Sequence, residues 1–482
     1  IMQMYNKMQK DKSIEVLSGI YLTTSGTHST IVKNWDLNYF LKTGMFPFMT
    51  PAELKREAEA HPKKLAEVFY AGMGCMMCRR GAIEKVTYPW FEPIMHEIEF
   101  SRDFSSEDVS LCWKWKDAGV KIYVDPVKNN FIGYIKSRAF KHGTGDVLVE
   151  VDHDDMLTPD CLQELVYAFQ DPEVGFVYSN NAVLHMEDKF VPYDQSYGWT
   201  YETFNWKGKE LIAMNSWEPT SHALGYIWFS PDHVRAWRTS EYHRIGGYDE
   251  TYEYCDDHDL CMRTYMNIKM VRIPKVLYIY RITGVNNSLT TKNAEIQVKT
   301  KELFKERIRQ LAEREAQLKG LMCVDIGGGL NPYPGYTTVD LREGSDYVCD
   351  LNDGIPLPDN SVFVLNASHI IEHLYDKTKI MSEIHRVLAP GGWAFIEVPS
   401  TDGRGAFQDP THVSYWNENS FLYYTDAYLA NFIDNKTIRF MEYRRETYFP
   451  NEWMRNMNSC VTTVWLVAVK EGMPRVPGIL RI

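Results

Sequence analysis

The 482-residue chain carries 64 Asp and Glu against 52 Lys and Arg, a net charge of −12, which argues against a general affinity for nucleic-acid backbones while leaving local basic grooves open. At ~150 residues per domain the length suggests about three domains, and an apolar share of 44% supplies sizeable cores. Nine scattered cysteines include one Cys75-x-x-Cys78 pair but no second pair at zinc spacing, so they read as reduced thiols of a cytoplasmic protein. No stretch reaches the ~18 uninterrupted apolar residues of a membrane span. No secretory signal opens the chain, and peripheral attachment to a membrane is compatible with these numbers. The first residue is Ile1 rather than Met, so sequence upstream is expected.

In chain order, the first segment mixes aromatics with charges. It holds Gly72–Arg80, the acidic Ser106-Glu107-Asp108 and Gly119–Pro126. In the middle segment the apolar run Val147–Glu150 leads into Asp152, Asp154 and Asp155. Such a run suits a buried parallel strand. The carboxylates then sit at its carboxyl end, where open α/β sheets bind ligands, and a hard divalent cation held there can grip a diphosphate. Cys255-Asp256-Asp257-His258-Asp259 echoes Ser106-Glu107-Asp108: each places acidic residues at a helix start, on the positive end of its dipole. Ala294–Gly320 follows, with Ile296, Leu303, Phe304, Ile308, Leu311 and Leu318 at helical spacing and Gly320 as the C-terminal stop. This predicts an amphipathic helix joining two domains.

Residues 132–290 resemble inverting family 2 glycosyltransferases of the GT-A fold. The resemblance rests on Gly143-Thr144-Gly145-Asp146, Asp152-His153-Asp154-Asp155, Thr158-Pro159-Asp160, Gly246-Gly247-Tyr248-Asp249-Glu250 and Asp256-Asp257-His258-Asp259-Leu260. It implies that Asp152 and Asp154 hold Mn²⁺ or Mg²⁺ and a nucleotide-sugar donor, UDP- or GDP-linked. It also implies that Asp257 is the base on the acceptor face, with Asp256 as the alternative. Thr283 stands where the family often carries a metal-binding His. The first segment looks like the back half of a second such domain, with Asp108 as its acceptor-side base. The front of each unit is then expected to be missing, before Ile1 and around Lys128–Phe131; the rival reading is a non-catalytic first unit.

In the last segment, Leu321–Ile326 reads as a buried strand turning into Gly327-Gly328-Gly329, where a ligand can approach the backbone. Pro332 at the third glycine position weakens a dinucleotide reading. Asp340 and Asp350 end two further strand-like runs. With Ile371-Glu372-His373-Leu374, Glu383–Leu388 and Pro390-Gly391-Gly392-Trp393, residues 321–426 resemble class I S-adenosylmethionine-dependent methyltransferases. By that resemblance Asp325, Gly327 and Gly329 contact the methionine part, Asp340 the ribose and Asp350 the adenine. His369-Ile370-Ile371-Glu372-His373 also fits a zinc-peptidase pattern, but no third ligand is evident in the sequence. The polar, aromatic stretch Pro399–Trp416 suits a loop over the acceptor, with His412 as base and Asp409 as its orienting partner or a metal ligand.

The expected fold is therefore α/β and multidomain: GT-A-type nucleotide-sugar domains followed by a Rossmann-like methyltransferase domain. The expected boundaries are 1–130, 131–293, a helical linker 294–320, and 321–482. The expected function is a multifunctional enzyme of polysaccharide biosynthesis that glycosylates a saccharide acceptor and O-methylates a sugar hydroxyl. Trp199, Trp206, Trp217 and Trp228 suit sugar stacking, although core packing is the commoner use. Two alternatives stay open: a modified nucleic-acid base as acceptor, although no nucleic-acid partner is expected, and a saccharide-binding scaffold as first unit.

Overall fold

A computed structural model describes residues 2–20, 29–36, 39, 43, 46–72, 76–98, 101–104, 107–125, 132–152, 154–185, 192–193, 195–252, 254–282, 293–433, 439–473 and 477. Cys75, His153, Thr283 and the junction Lys128–Phe131 lie outside the described residues. The chain divides into two compact units, Ile1–Asn130 and Phe131–Ile482.

In the first unit, one sheet runs in the order Ala66–Val68, Ile122–Val124, Val16–Ser18, Met76–Cys78, and only its central pair is parallel. Helices Pro51–Ala60 and Glu107–Asp117 contribute Leu54, Leu111 and Trp115 to its core. Thr50 caps the first of these with a reciprocal Glu53 box, satisfying two orphan amides.

The second unit holds two larger sheets. The first has Val174–His185 at its centre, paired in parallel with Lys269–Ile282 and antiparallel with Lys209–Met214. Arg235–Arg238 pairs antiparallel with Val174–His185 on one side and with Val147–Glu150 on the other. The acidic run therefore corrects one expectation. Val147–Glu150 is a half-buried edge strand whose partner among the described residues is antiparallel. Its alternating burial, with Leu148 and Glu150 inward, is what a one-sided strand requires.

The second sheet runs Tyr347–Val348, Thr337–Asp340, Met322–Ile326, Val362–Ser368, Leu388–Pro399, Val461–Ala468, Phe440–Tyr448. Its first five strands are parallel, and Val461–Ala468 is antiparallel to both neighbours. The strand order reverses between Met322–Ile326 and Val362–Ser368. Ligands of open α/β sheets bind outside the carboxyl ends at such a point.

Helix Asn293–Lys319 connects the two sheets and buries Ile296, Leu303, Phe304, Ile308, Leu311, Ala312 and Ala316. It packs on both halves, because one continuous core joins Leu224, Cys261 and Tyr265 to Phe363, Trp393 and Val467. Leu318 departs from the predicted stripe and is 57% exposed. The apolar face drifts by ~20° per heptad, so the buried stripe ends at Glu315 and Ala316. Gly320 (φ 64°) closes the helix: its amide reaches Gln317 O and the Leu321 amide reaches Ala316 O. Near that end the Glu315 carboxylate accepts hydrogen bonds from Ser221 N (2.8 Å) and Oγ (2.6 Å), and Trp393 Nε1 donates to the same hydroxyl. His222 stacks on Trp393 at 4.5 Å.

Leu311→Ala, at a fully buried position, should lower the stability of the second unit by about 3 kcal/mol. Denaturant titration checks this, and a loss under ~1 kcal/mol would contradict the shared core.

Candidate active sites

Register builds the first site. Arg235 lies opposite Glu150 across the edge pair. The buried Arg235 guanidinium donates through Nη1 to Asp257 Oδ2 (3.0 Å), and that nitrogen is 3.7 Å from Glu150 Oε2. Two backbone carbonyls, Pro231 O and Phe229 O, fix the rest of its fork at 2.8 Å each. Lys136, from helix Ile132–Phe140, donates to Glu150, and its ammonium lies 3.5 Å from Asp152 Oδ1. Glu150, Asp152 and His233 bring ligand atoms within 4.8 Å of one another. Below them Tyr278 accepts from the Asp152 amide (3.1 Å), donates to Asp155 (2.8 Å) and stacks on His233.

Helix Asp256–Asn267 presents Asp256 and Asp257 in its first turn. Asp256 is buried and Asp257 nearly so, its side chain 12% exposed, yet they ionise differently. Burial raises Asp256, with Asp257 and Glu150 adding to the rise and Lys136 opposing it, to about 7. Burial also works against Asp257, but Arg235 and Lys136 outweigh it and hold this carboxyl below its usual range. Lys136 itself is raised: burial disfavours its charge, and Glu150, Asp152, Asp256 and Asp257 more than restore it. Asp256 Oδ2 makes no hydrogen bond.

The second site is a cavity of about 600 Å³ at the switch point, lined among others by Arg309, Asp325, Gly327, Tyr333, Asn366 and His369. Asp325 is buried and organises the turn, accepting from Tyr333 N and Asn366 Nδ2 at 2.7 Å each. Gly327 has φ 69°, and a Cβ there would lie 2.2 Å from Ile370. At Gly328 a Cβ would meet Asp325 Oδ2 at 2.4 Å. The Gly329 amide donates to Asp340 Oδ2 (2.9 Å), which joins the turn to the end of the adjacent strand. An open cavity against a side-chain-free turn and a strand-end carboxylate fits a nucleoside-bearing ligand. Asp350 accepts from the Asn352 amide and side chain instead of lining that cavity.

Beyond the cavity's His369 end, the turn Ile371–His373 meets the loop carrying His412. His369 lies 3.6 Å from Glu372 and 3.4 Å from Glu397, and these two carboxylates raise it to about 9. His412 Nε2 is 4.0 Å from both Glu372 and Asp409.

The structure thus gathers Asp152, Asp256 and Asp257 around Lys136 and Arg235, and Asp325, Gly327, Gly329 and Asp340 around one turn. Asp154 stands apart from the cluster of Glu150, Asp152 and His233. Asp108 begins a helix in the first unit and accepts from Tyr70 Oη (2.7 Å). Trp199 and Trp217 are buried and pack edge to face, so their use is the core. Sequence reasoning missed Lys136, His233, Arg235, Arg309 and Asn366, none of which lies in a chemical motif.

Residues 310–396 match the family model described as a methyltransferase domain, and residues 99–225 match glycosyl transferase family 2. The latter match covers Asp152 and Asp154 and ends before Asp256. A protein of Mycolicibacterium smegmatis, described as a probable S-adenosylmethionine-dependent methyltransferase, is 38% identical over 81 residues, 16% of this chain and 29% of that protein. The chain thus spans under a third of that curated relative's length. Among solved structures, an S-adenosylmethionine-dependent methyltransferase of Mesorhizobium loti is 17% identical over 32% of this chain and 97% of its own, at a TM-score of 0.22. One from Archaeoglobus fulgidus is 17% identical over 34% and 93%, also at 0.22.

Lys136→Met removes the ammonium that offsets the buried carboxylates of Glu150 and Asp256. It should destabilise the second unit by about 3 kcal/mol in chemical denaturation; an unchanged midpoint would show that Arg235 alone suffices.

Proposed function

We propose that this chain, which joins a family 2 glycosyltransferase region to a class I S-adenosylmethionine-dependent methyltransferase region, glycosylates a saccharide acceptor with inversion and O-methylates a sugar hydroxyl. The observation that carries this reading is the pairing, within one compact unit, of two features. One is an acidic cluster at the end of one sheet; the other is a glycine-walled cavity at the switch point of a second. The domain division proposed is 1–130, 131–293, a linker 294–320 and 321–482.

For sugar transfer, Asp152, with Glu150 and His233 beside it, would hold Mn²⁺ or Mg²⁺; the resemblance also assigns Asp154, which stands outside that cluster. When bound, that ion offsets diphosphate charge as the UDP or GDP departs. Lys136, 3.5 Å from Asp152, supplies a fixed positive charge at the same place. The acceptor proton goes to the Asp256–Asp257 pair. The resemblance assigns it to Asp257, whereas a pKa of about 7 favours Asp256, since a base works best near the operating pH. Asp108 takes the corresponding place in the first unit.

For methyl transfer, Asp325, Gly327 and Gly329 shape the methionine end of the cavity and Asp340 binds the ribose; Asp350, which the resemblance gives to the adenine, would have to leave Asn352 to reach it. S-adenosylmethionine, when bound, supplies an electrophilic methyl group. Acceptor activation belongs to the His412, Asp409 and Glu372 group beyond His369. The exposed, stacked rings of Phe407 and Tyr415 (5.2 Å) offer a sugar face a platform on the same loop.

With a nucleotide-sugar panel and Mn²⁺, Asp154→Ala and Asp257→Asn should each lower turnover by ~10²-fold or more. Unchanged turnover in both would refute the transferase reading. Asp256→Asn decides between the two bases by which variant loses the acidic limb of the kcat profile, since a base is inactive once protonated. In S-adenosylmethionine calorimetry, Asp340→Ala should weaken binding by roughly 10-fold, and equal affinity would remove Asp340 from the ribose.

A further inference from the structure

We propose a divalent transition-metal site made by Glu372, His373 and His412, separate from the Asp152 cluster. These three residues offer one ligand atom each within 4.8 Å of one another. The sequence places His412 39 residues after His373, and the turn Ile371–His373 meets the Pro399–Trp416 loop to bring them together. The meeting is fixed by backbone: the Val413 and Ser414 amides both donate to the Glu372 carbonyl at 2.9 Å.

Two independent features point to a cation. First, Glu372 is 2% exposed, and neither of its carboxylate oxygens makes a hydrogen bond. A buried carboxylate without hydrogen bonds is costly, and its nearest cationic-capable neighbours are His369 at 3.6 Å and His412 at 4.0 Å. A coordinated ion would satisfy it. Second, both imidazoles are oriented as metal ligands are. His412 Nδ1 faces Ala406 O at 2.9 Å, and His373 Nδ1 faces Thr411 O at 3.2 Å and Thr411 Oγ1 at 3.1 Å, whose own proton goes to Asp409. A proton on each Nδ1, donated to a carbonyl, leaves each Nε2 with its lone pair. The rings stand 4.9 Å apart and nearly perpendicular, so both nitrogens can approach one point without stacking.

Two imidazoles and one carboxylate suit Zn²⁺, Mn²⁺ or Fe²⁺ rather than Ca²⁺, and three protein ligands leave open positions. The turn is a short 3₁₀ segment and not a helix, so the peptidase pattern that the sequence contains is not reproduced; His369 is turned toward Glu397 and the cavity. Resting on the methyl-transfer reading, the open positions take vicinal oxygens of a hydroxylated acceptor, and His412 acts on the acceptor through the ion rather than as a free base.

The test uses the full chain, stripped with chelator and titrated with Co²⁺ by visible absorption. The expected result is a ligand-field band that persists in Asp152→Asn and Asp154→Ala, is lost in His373→Ala and Glu372→Gln, and is displaced by Zn²⁺. Catechol, a vicinal-diol probe, should shift the band. An unaltered Co²⁺ spectrum and stoichiometry in His373→Ala would overturn the site, as would uptake abolished by Asp152→Asn alone; no shift with catechol would overturn the acceptor role. His373 is only partly buried, so its variant decides the matter if Glu372→Gln fails to fold. S-adenosylhomocysteine calorimetry on the same samples separates the two readings. Retained binding without a Co²⁺ band refutes the metal alone, and a Co²⁺ band without binding refutes the methyl donor alone.

Discussion

Helix Asn293–Lys319 is the element on which both sites depend. Arg307 reaches back to Asp259 at 2.5 Å, in the helix that presents Asp256 and Asp257. Two residues on, Arg309 lies over the Tyr333 and Phe395 rings (4.4 and 4.2 Å) and donates to Asn366, in the wall of the other cavity. One rigid rod therefore sets the position of a carboxylate pair in one half and a guanidinium in the other. The Glu315–Ser221–Trp393 network fixes its far end, and each of these polar groups is buried where an unmade hydrogen bond is costly. Under the proposed function, joining two chemistries this way would keep a shared acceptor at high local concentration.

The acidic cluster around Glu150 is held by charge rather than by apolar packing. Glu150 and Asp256 are buried beside the nearly buried Asp257, which is tolerable because Arg235 is buried with them and the half-buried Lys136 brings its ammonium among them. The same arrangement splits the two neighbouring aspartates, leaving one ionised and the other titrating near neutrality. Pairs pushed apart in this way are where acid and base roles are found. Near the second cavity the logic is inverted. Glu372 is buried among imidazoles with no hydrogen-bond partner, and its nearest cation is His369 at 3.6 Å rather than a lysine or arginine.

Local signals were readable in the sequence. The Asn293–Lys319 helix follows from its apolar spacing and Gly320 stop, and the glycine turn from a strand running into Gly327. Asp152, Asp257 and Asp340 sit at ends of elements that period and composition mark. What could not be read depends on register and long-range pairing. His233 and Arg235 reach the acidic run only because Arg235 pairs with Glu150 across the sheet edge. Lys136 carries no motif and acts from a neighbouring helix. His412 meets Glu372 through a loop closure that no spacing rule encodes. The parallel expectation for Val147–Glu150 failed because an apolar run of that length does not say which strand lies beside it.

If the helix welds both halves into one cooperative body, strands Val174–His185 and Leu388–Pro399 should lose hydrogen-exchange protection together. The direct measurement is amide exchange followed through a guanidinium titration of the full chain. The account predicts one midpoint for both strands, moved equally by Leu311→Ala. Two well-separated midpoints, or a shift confined to one sheet, would contradict it.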